Sequence, residues 1–459
     1  MSGFRLLIAM LIANAVAWRG ATAAKAELSI SNKPTQNMSC DGGVCTATAK
    51  KAVLNVADLQ TMLASGDVSV KTGTVAKDIN MDQPLTWSST SRLTLDAQAS
   101  ITVKKPVTVT GSGALTIAYD NQSGANDLYF FGKGQVTFSD MASSLVINGQ
   151  SYTLEADLPS LADAMNGNEG GSFALANDYD AKNDSFKHSP VDYFEGNFEG
   201  LGHSISHLKL RGGGHQRAGM FAKTGQAIIR DIYLKQVNVR SGNKLYVGAL
   251  VGDNGAQIVN ASVTGTVIGN SDFAAVGALI GANGGLIDRS RSNATVAGHG
   301  AGGLVGGNIG VVYRCYSNST VSGSSAGGLT GSNDGHVFDA YAAGSVTGSD
   351  LAGGLVAGTG GSQSVVGAYS TGGVSGLTTG GLVGTDFNLT VSDSYWDLDT
   401  SGIADPGQGA GQPADDPGIT GLTDAQLKSG LPKDFDPKIW GSNPNINGGY
   451  PYLRANPPQ

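Results

Sequence analysis

A short apolar phrase recurs through the middle of the chain and sets its pattern of hydrophobic and polar positions. Each copy holds one large apolar residue among glycines, as in Ala301-Gly-Gly-Leu-Val-Gly306. Successive copies are 29, 29, 25, 25, 26 and 27 residues apart. A repeat of this length indicates stacked supersecondary units, none of which can bury its apolar face alone. The large apolar residues of the successive copies are Phe221, Leu250, Leu279, Leu304, Leu329, Leu355 and Leu382.

The repeat at residues 301–323 shows what one unit contains. It has three short runs rich in β-branched residues, which end in Gly306-Gly-Asn308, in Ser317-Asn318 and at Gly323. Runs of this kind between glycine, asparagine and serine are typical of strands and tight turns, and no helical period is present. Three strands in roughly 25 residues predict the coils of a parallel β-helix, in which each coil pairs with the next at about 4.8 Å.

Apolar columns appear when the units are aligned on their final glycine. The leucines form one predicted core ladder, from Leu250 to Leu382, so that Leu304 is expected inside its coil. Asn308 falls at a turn, where Asn308→Asp is expected to cost about 0.5 kcal/mol or less. The second and third strands supply two further columns, Ile258, Ile287, Val312, Val337, Val365 and Val267, Val296, Val321, Val346, Val374.

Two neighbouring columns are harder to orient. One is small in every unit and contains Cys315, and the next holds Tyr316, Tyr341 and Tyr369. Their spacings from the Ile/Val column are three and four residues, so a period of two does not decide which of them points inward. We expect a bend within this segment.

The repeated phrase, together with the endings at residues 340–348 and 368–376, resembles the GLUG repeat. GLUG repeats occur in filamentous-haemagglutinin-like exoproteins and in some bacterial IgA-cleaving metallopeptidases. The segment at residues 194–205, with Phe194 and Phe198 four apart, resembles the family's entry into its first full coil. The resemblance implies a right-handed parallel β-helix on a secreted bacterial protein, and the sequence itself predicts short helical caps for it. It does not by itself imply an activity.

The predicted organisation has six parts. Short strands recur every 8–12 residues before the repeats, where the sequence resembles the same class of exoproteins, and an aromatic-rich tail follows them. We expect the tail to cover the open end of the last coil. The parts are a signal peptide at 1–23, a polar linker with a cysteine loop at 24–50, a β-rich region at 51–148, the entry segment at 149–217, the repeats at 218–400, and a linker with a C-terminal cap at 401–459.

The first residues predict export. Arg5 supplies a positive start, an apolar run follows at residues 6–18, and Ala21-Thr-Ala23 fits a cleavage site. A transmembrane anchor is the alternative, but a run of about 13 residues is too short to span a bilayer. The prediction is therefore a protein secreted or held at the outer surface of a bacterium, without stable membrane insertion after cleavage.

The three cysteines fit an exported chain. Cys40 and Cys45 flank Asp-Gly-Gly-Val, which suggests a small disulfide loop rather than a metal site, because no histidine is near. Cys315 lies in a column that is otherwise alanine or serine. It is expected to be a small buried residue and not a nucleophile.

Composition narrows the class of protein. The 459 residues include 69 glycines, and only 14% are charged, with a formal net charge of −8. This balance favours a β-rich core over a helical or disordered chain. The negative charge argues against nucleic-acid partners.

Candidate metal ligands cluster once in the sequence, at Glu195, Glu199, His203 and His207. Glycines at 196, 200 and 202 break any helix there, and no His-Glu-x-x-His occurs anywhere, so the peptidase half of the IgA-cleaving family is missing. A calcium loop beginning at Asp397 lacks its closing carboxylate. The interpretation at this stage is that the chain has no catalytic, cofactor or metal residues.

The predicted function is therefore a non-enzymatic, adhesin-like rod that makes multivalent surface contacts. Its partner would be a glycan or protein on a host or neighbouring cell. The alternative is a carbohydrate-active β-helix enzyme, either a polysaccharide lyase or a glycoside hydrolase. That alternative requires paired carboxylates, and the acidic residues of the repeats form no ladder. A companion of a larger adhesin is a third interpretation, which the sequence does not separate from the first.

Overall fold

The three apolar runs of each repeat form three short strands, and successive coils stack on one another. The structure is a computed structural model that describes residues 26–121, 126–212, 216–243, 245–361 and 364–458. The predicted signal peptide at 1–23 lies outside the described residues. Within these described ranges, two 3-10 helical turns, at Ala181–Asn183 and Asn447–Gly449, accompany three α-helices, and the remaining regular structure is strand. The α-helices are α1 (Val56–Ser65), α2 (Leu158–Gly167) and α3 (Asp424–Lys428).

The first fourteen strands form what we call the N-terminal solenoid, residues 26–148. They make a five-stranded sheet, a three-stranded sheet and the start of a sixteen-stranded sheet. The strands are β1 Glu27–Ser31, β2 Met38–Asp41, β3 Val44–Ala47, β4 Lys51–Asn55, β5 Val68–Lys71, β6 Asp78–Met81, β7 Leu85–Trp87, β8 Arg92–Asp96, β9 Ile101–Val103, β10 Val107–Val109, β11 Ala114–Ala118, β12 Leu128–Phe130, β13 Val136–Phe138 and β14 Ser144–Ile147.

The next strands begin what we call the C-terminal solenoid, residues 150–422. They are β15 Gln150–Glu155, β16 Ser172–Leu175, β17 Tyr179–Asp180, β18 Val191–Phe194, β19 Asn197–Glu199, β20 Ser204–Ser206, β21 Lys209–Gly212, β22 Arg217–Ala218, β23 Phe221–Thr224, β24 Ile228–Arg230, β25 Tyr233–Ser241, β26 Tyr246–Val247, β27 Val251–Asn254, β28 Gln257–Val259, β29 Ser262–Gly269, β30 Ala275–Gly277, β31 Ile280–Asn283, β32 Leu286–Asp288 and β33 Arg291–Gly302.

The remaining strands complete this solenoid and add a short hairpin, β52–β53, in the tail. They are β34 Val305–Asn308, β35 Val311–Tyr313, β36 Tyr316–Ser317, β37 Thr320–Gly327, β38 Thr330–Asn333, β39 His336–Phe338, β40 Tyr341–Ala342, β41 Val346–Gly353, β42 Val356–Thr359, β43 Val365–Val366, β44 Tyr369–Ser370, β45 Val374–Ser375, β46 Thr378–Gly380, β47 Val383–Asp386, β48 Val391–Ser392, β49 Ser394–Asp397, β50 Ala410–Gln412, β51 Ile419–Leu422, β52 Trp440–Gly441 and β53 Tyr452–Leu453.

Parallel stacking confirms the predicted β-helix. The C-terminal solenoid is built from an eighteen-stranded sheet, a nine-stranded sheet and most of the sixteen-stranded sheet. Partners are one repeat apart, as where Ile287 of β32 lies opposite Val312 of β35. Each coil therefore contacts chiefly the coils before and after it, as in other solenoids.

An Asn-Gly turn separates the two solenoids. Asn148 and Gly149 both have positive φ, 47° and 82°, which suits a tight two-residue hairpin. β14 and β15 pair antiparallel across this turn, whereas β15 and β16 pair parallel. The chain direction thus reverses at the junction while the sixteen-stranded sheet continues through it.

The predicted leucine ladder lies inside the C-terminal solenoid. Leu250, Leu279, Leu304, Leu329, Leu355 and Leu382 are each fully buried. Their backbones are linked as well, since the N–H of Leu279 donates to the carbonyl of Leu304. Burying such a side chain stabilises the fold by about 1.5–3 kcal/mol.

A polar ladder inside the core contains Asn308, which the sequence placed at a turn where a substitution should cost little. Asn308 is 1% exposed, and its Nδ2 donates to Asn333 Oδ1 at 2.7 Å while its Oδ1 accepts from Asn283 at 2.7 Å. Asn254 extends the ladder one coil further. An aspartate here would have to bury a charge and lose a donor, so the expectation of a small cost is wrong.

The helices follow from local capping. Asn55 caps α1 and Asp157 caps α2, whose Leu158, Leu161 and Met165 pack into the first coils of the C-terminal solenoid. Thr423 and Gln426 form a capping box on α3. Among the described residues, no helix combines the length and the apolar character that crossing a membrane requires.

Two segments that the sequence presented as linkers belong to solenoids. β1, within the predicted polar linker, is an inner strand of the five-stranded sheet and pairs with β4 and β6. β50 and β51, within the predicted C-terminal linker, pair with β47 and β49 as part of a further coil. Proline and glycine content therefore marked the turns of coils rather than a break between domains.

The C-terminal tail, residues 423–458, does not end over the last coil. It runs back along the side of the solenoid, where Trp440 packs on Tyr341 and Tyr369. Asn456 reaches still further, because its Nδ2 donates to the carbonyls of Ser290 and Arg314. The tail covers a lateral face, which corrects the prediction of a cap on the open end.

Candidate ligand-binding cleft

A turn of left-handed backbone recurs in successive coils and forms one corner of the C-terminal solenoid. Asn260, Arg289, Arg314 and Asp339 have φ values of 51°, 51°, 51° and 48°. Non-glycine residues adopt this conformation rarely, and here it supplies the expected bend. Because of the bend, the small column of Cys315 packs into the solenoid core, whereas the tyrosine column packs against the tail.

The tyrosine column continues beyond the tyrosines recognised in the sequence. Strand register aligns Tyr233, Ser262, Arg291 and Tyr316 in successive coils, followed by Tyr341 and its neighbours. The rings of Tyr316 and Tyr341 stack with centroids 4.8 Å apart. This column forms one continuous stripe on a lateral face of the eighteen-stranded sheet.

The C-terminal tail covers one end of the stripe. Trp440 is fully buried, stacks on Phe435 at 4.5 Å and donates from Nε1 to Asp339 Oδ1 at 3.0 Å. Tyr369 Oη donates to the carbonyl of Pro451 at 2.6 Å. Aromatic burial of this kind fixes the tail along the solenoid.

The N-terminal solenoid approaches the same face near the other end of the stripe. Val136 N donates to the carbonyl of Leu201 at 3.0 Å, and the ring nitrogen Nε2 of His203 lies 2.7 Å from Val136 O. Beside these contacts, Asp127 pairs with Arg230 at 2.7 Å and with Arg289. We call the surrounding charges the junction ion cluster: Asp127, Glu199, Arg230, Asp231, Asp288, Arg289 and Arg314.

The junction ion cluster is mostly buried and internally paired. Burial raises the pKa of Asp127, but the charges of Arg230 and Arg289 outweigh it and lower the pKa to about 2. Burial, reinforced by the neighbouring Asp231, raises the pKa of Glu199 well above its usual range. The cluster thus combines a firmly ionised carboxylate at the junction with one that favours its protonated form.

Between the covered ends of the stripe lies a cleft of about 480 Å³. Its size falls in the range of about 300–1,000 Å³ that small-ligand sites occupy. The N-terminal solenoid supplies one wall, at residues 132–135, and the C-terminal solenoid supplies the floor. We call this the junction cleft, lined by Pro106, Gly132, Lys133, Gly134, Gln135, Asp178, Gly202, Tyr233, Lys235, Ser262, Val263, Thr264, Arg291, Ser292, Asn293, Tyr316 and Asn318.

The charged lining of the junction cleft is mainly cationic. Lys133, Lys235 and Arg291 line it together with one carboxylate, Asp178. Asp178 already accepts hydrogen bonds from Ser204 N and Oγ at 2.7 and 2.8 Å. The nearby His203 ring and these Ser204 hydrogen bonds hold the Asp178 pKa well below its usual range, against partial burial. In a chain of formal charge −8, the cleft is a local positive site.

Arg291 is the most enclosed cation of the junction cleft, at 8% exposed. Its guanidinium carbon lies 5.4 Å from the centre of the Tyr233 ring, and Nη1 lies 3.4 Å from Asn456 Oδ1 of the tail. Tyr233 is itself anchored, because its hydroxyl accepts from Asn260 Nδ2 at 3.2 Å. Ring and tail together hold a planar guanidinium at the floor of the cleft.

The four candidate metal ligands of the sequence lie in different surroundings. Glu195 accepts from the Tyr193 hydroxyl, Glu199 joins the junction ion cluster, His203 is buried against Val136 O, and His207 pairs with Asp180 at 2.7 Å. Within the described ranges, no group of three or more His, Cys, Asp or Glu side chains is placed to hold a metal ion. The carboxylate of Asp397 accepts from the backbone of its own turn.

The cysteines have distinct positions. Cys40 and Cys45 are joined by a disulfide at the cross-strand position of the β2–β3 hairpin. Cys315 is a free, buried thiol within the core. Burial raises its pKa well above the ordinary thiol value, which disfavours the reactive thiolate.

Sequence reasoning did not find the junction cleft. Lys133 and Arg291 are far apart in sequence, and only the reversal at the Asn148–Gly149 turn brings them to one site. One available signal was the tyrosine column, because the same register predicts Tyr233, Ser262 and Arg291 in line with it.

Comparisons with known proteins relate part of this solenoid to a peptidase family. Residues 148–265 match the model of the M26 IgA1-specific metallo-endopeptidase N-terminal region. The chain is 27% identical over 212 residues to halomucin from Haloquadratum walsbyi. This alignment covers 44% of this chain and 2% of halomucin. The chain therefore spans only a small fraction of that relative's length.

A solved structure also aligns with part of the chain. It is a crystal structure from Bacteroides ovatus of a protein described as an immunoglobulin A1 protease. The alignment covers 66% of this chain and 93% of that one, with 17% identity and a TM-score of 0.45.

The match to the M26 N-terminal region overturns the functional prediction from sequence. Neither the non-enzymatic adhesin nor its carbohydrate-active alternative agrees with a relationship to a peptidase. The prediction took the missing His-Glu-x-x-His motif to mean that the peptidase half of the IgA-cleaving family is missing, and it counted the lack of a catalytic constellation as evidence for a non-enzymatic protein. A match to an N-terminal region does not require the motif, so its absence was the wrong criterion.

Proposed function

We propose that this chain provides the substrate-binding solenoid of an extracellular peptidase related to the M26 IgA1-specific metallo-endopeptidases. The observation that carries this proposal is the match of residues 148–265. That range contains Asp178, Tyr233, Lys235, Ser262 and Thr264, which line the junction cleft. The part of the chain that resembles a peptidase region thus builds much of the candidate site.

A binding role suits the architecture. The cleft lies between two solenoids whose contact is fixed by buried ion pairs, so its walls are set before a ligand arrives. Such preorganisation reduces the ordering that binding would otherwise require. A peptidase needs its substrate held in place as well as cut.

The metal of a metallo-endopeptidase is not part of this proposal. The described residues offer no set of ligands that fits it. The proposal concerns recognition of the polypeptide that such an enzyme acts on, with immunoglobulin A1 as the candidate suggested by the family's description.

An extracellular or surface location is part of the same proposal. It is supported by the Cys40–Cys45 disulfide, since disulfides persist in oxidising compartments, and by the predicted signal sequence. We also propose that the repeats are GLUG repeats, on the strength of the recurring Gly-Gly-Leu-Val-Gly phrase.

The test is binding of the purified chain to immobilised immunoglobulin A1, with immunoglobulin G as the comparison. We expect selective binding that the double variant Lys133→Glu, Lys235→Glu weakens about tenfold or more through charge repulsion. Lys223→Glu changes an exposed lysine outside the junction cleft and is the matched control. Equal retention on both immunoglobulins, or no effect of the double variant, would overturn the proposal.

A further inference from the structure

We propose that the open end of the C-terminal solenoid docks an extended, basic polypeptide segment, which adds a strand to β51. The open end is the outer side of the last coil, residues 401–422. This inference goes beyond the proposed function, because the junction cleft takes no part in it. It is carried by three features of the open end: free strand edges, an excess of carboxylates, and a buried carboxylate oxygen without a donor.

Two strands end their sheets at the open end. β50 is paired with β47 and β51 with β49, and within the described part of the chain neither has a strand on its other side. The tail does not cover these edges, because it runs back along the lateral face to Trp440 and Asn456. An uncovered edge presents unpaired backbone N–H and C=O groups, to which an extended peptide can add as a further strand.

The interior of the open end is already filled. Trp396 is fully buried and Ile403 is 7% exposed, so the core does not need another complete coil to close it. Leu398 and Ile419 pack against this core but are only partly buried. A single added strand could cover these two side chains and gain apolar burial as well as backbone hydrogen bonds.

The sequence around the open end is strongly acidic. Between Arg314 and Lys428 it contains eleven aspartates and no glutamate, lysine or arginine, in a chain whose formal net charge is only −8. The first cation that follows, Lys428, pairs with Asp424 of its own helix at 2.8 Å. A field of one sign attracts a partner of the opposite sign. The exposed aspartates of the last two coils are Asp393, Asp399, Asp405 and Asp415.

A buried carboxylate extends this excess into the last coil. Asp416 is 5% exposed, and its Oδ1 accepts from Gly418 N at 2.8 Å, whereas its Oδ2 has no hydrogen-bond donor within the described residues. Burial and the neighbouring Asp386 carboxylate raise the pKa of Asp416. Asp386 already accepts from Thr390 N and Val391 N. A lysine or arginine brought to this end would supply the counter-charge that the pair lacks.

Edge and charge together select the occupant. A metal ion is disfavoured, since no group of three or more His, Cys, Asp or Glu in the described ranges is placed to hold one. Two copies of this chain meeting end to end would bring two acidic surfaces together, which costs free energy. An extended segment with lysine or arginine satisfies both the free strand edge and the carboxylates.

Calorimetry with the full chain tests the assignment, using an octapeptide of alternating lysine and threonine. The same peptide with a methyl group on every backbone amide keeps its charge but cannot donate to a strand edge. An octapeptide of alternating glutamate and threonine reverses the charge. We expect only the unmodified lysine peptide to bind, and its binding to weaken as the salt concentration rises. Hydrogen exchange should slow in β51 when this peptide is bound and stay unchanged in β1 and β6.

Variants locate the peptide. Asp393→Asn with Asp415→Asn should weaken its binding about fivefold, because two exposed charges at the open end are lost. Both residues have left-handed backbone, with φ of 49° and 58°, which asparagine tolerates. Asp334→Asn with Asp350→Asn is the matched control, since it removes the same charge from exposed positions in earlier coils. The control should change the affinity by less than about twofold.

Several outcomes would overturn the inference. Equal binding of the N-methylated peptide would show attraction by charge without strand addition, and equal weakening by the two double variants would remove the site from the open end. Failure of the lysine peptide to bind, or sedimentation showing that the chain self-associates and excludes the peptide, would reject the proposed occupant. Retention on immunoglobulin A1 should be the same for wild type and Asp393→Asn with Asp415→Asn, because the junction cleft is unchanged.

Discussion

Arg230 of the C-terminal solenoid and Asp127 of the N-terminal solenoid form an ion pair across the junction, with Nη1 2.7 Å from Oδ1. Their side chains are only 13% and 15% exposed. Asp127 also binds Arg289, one coil beyond Asn260, and Arg230 Nη2 donates to Leu128 O at 2.8 Å. A single carboxylate thus ties the last coil of one solenoid to two corners of the other.

Replacing Asp127 should destabilise the protein. Asp127→Asn leaves two buried guanidinium groups short of a counter-charge, so we expect the free energy of unfolding to fall by about 3 kcal/mol. Asp96→Asn is the control, because Asp96 and Lys71 form an exposed pair 3.9 Å apart whose loss should have little effect. Urea unfolding at pH 7 measures both, and equal midpoints would show that the junction pair contributes nothing.

The same carboxylate predicts a dependence on pH. Its folded pKa of about 2 lies below the unfolded value of about 3.9. Its contribution to stability is therefore present above the unfolded pKa and is lost as pH falls through the folded one. The stability difference between wild type and Asp127→Asn should accordingly shrink below about pH 4. A difference that stays constant down to pH 2.5 would contradict this linkage.

The contribution of Glu199 to stability should have the opposite dependence on pH. Burial and the neighbouring Asp231 raise its pKa well above the unfolded value of about 4.3, so the folded state favours the proton. The wild type should therefore lose stability as pH rises above about 4.3. Glu199→Gln removes the ionisation and keeps an acceptor for Leu201 N, which Glu199 Oε1 contacts at 3.1 Å.

We expect the stability of Glu199→Gln relative to the wild type to increase as the pH rises from 4.5 to 7.5. Unfolding by urea at pH 4.5, 6 and 7.5 measures the trend. Asp334→Asn, at an exposed residue of a solenoid turn, controls for the loss of one negative charge. A variant that is less stable at every pH by the same amount would show that ionised Glu199 is the stabilising form.

The sequence predicted features that repeat and missed those that depend on long-range folding. The leucine ladder followed from spacing alone, because each copy must bury the same side chain in the same coil. The expected cost of Asn308→Asp was too small because buried and exposed turn asparagines look alike in sequence. The burial of Asn308 becomes evident only when the coils stack and its amide meets Asn283 and Asn333.

The candidate site was less accessible to prediction. Lys133 belongs to one solenoid and Lys235 to the other, and their meeting depends on the direction reversal between β14 and β15. Repeat periodicity describes stacking within one solenoid and says nothing about how two solenoids meet. The predicted position of the tail was wrong for a related reason. Its aromatic residues are equally suited to covering the end of the solenoid or its side.

Within one repeat, substitutions at buried and at exposed positions should lower the free energy of unfolding by clearly different amounts. Leu304→Asp loses about 2–3 kcal/mol of apolar burial and buries a charge, and it disturbs two coil interfaces. Ile309→Asp should cost about 0.5 kcal/mol or less, since Ile309 is 73% exposed. Asn308→Asp should lie between them, at about 1–3 kcal/mol, because it removes the amide that donates to Asn333.

Urea unfolding followed by far-UV circular dichroism measures this series. The order of midpoints should be Ile309→Asp highest, then Asn308→Asp, then Leu304→Asp. Equal midpoints for Leu304→Asp and Ile309→Asp would place Leu304 at the surface and contradict the stacked-coil core.

The cysteines should differ in their response to alkylation. Without reductant, Cys40 and Cys45 should remain unmodified because they are bonded, and Cys315 should remain unmodified because it is fully buried. Adding urea alone should expose Cys315 only. Mass spectrometry of the digested protein measures alkylation at each of the three cysteines. Alkylation of Cys40 in the native, unreduced protein would show that the disulfide is absent.

The tail should stabilise the lateral face that it covers and not the end of the solenoid. Trp440→Ala removes a fully buried indole and the donor to Asp339, which should destabilise the tail and its contacts by about 3–5 kcal/mol. Hydrogen exchange should then accelerate in β40 and β44, whose tyrosines Trp440 covers, and remain unchanged in β1 and β6 of the N-terminal solenoid. Phe273→Ala, at a residue 81% exposed, should alter none of these. Acceleration confined to β50 and β51 would instead mean that the tail stabilises the last coil, which is the capping role that the sequence first suggested.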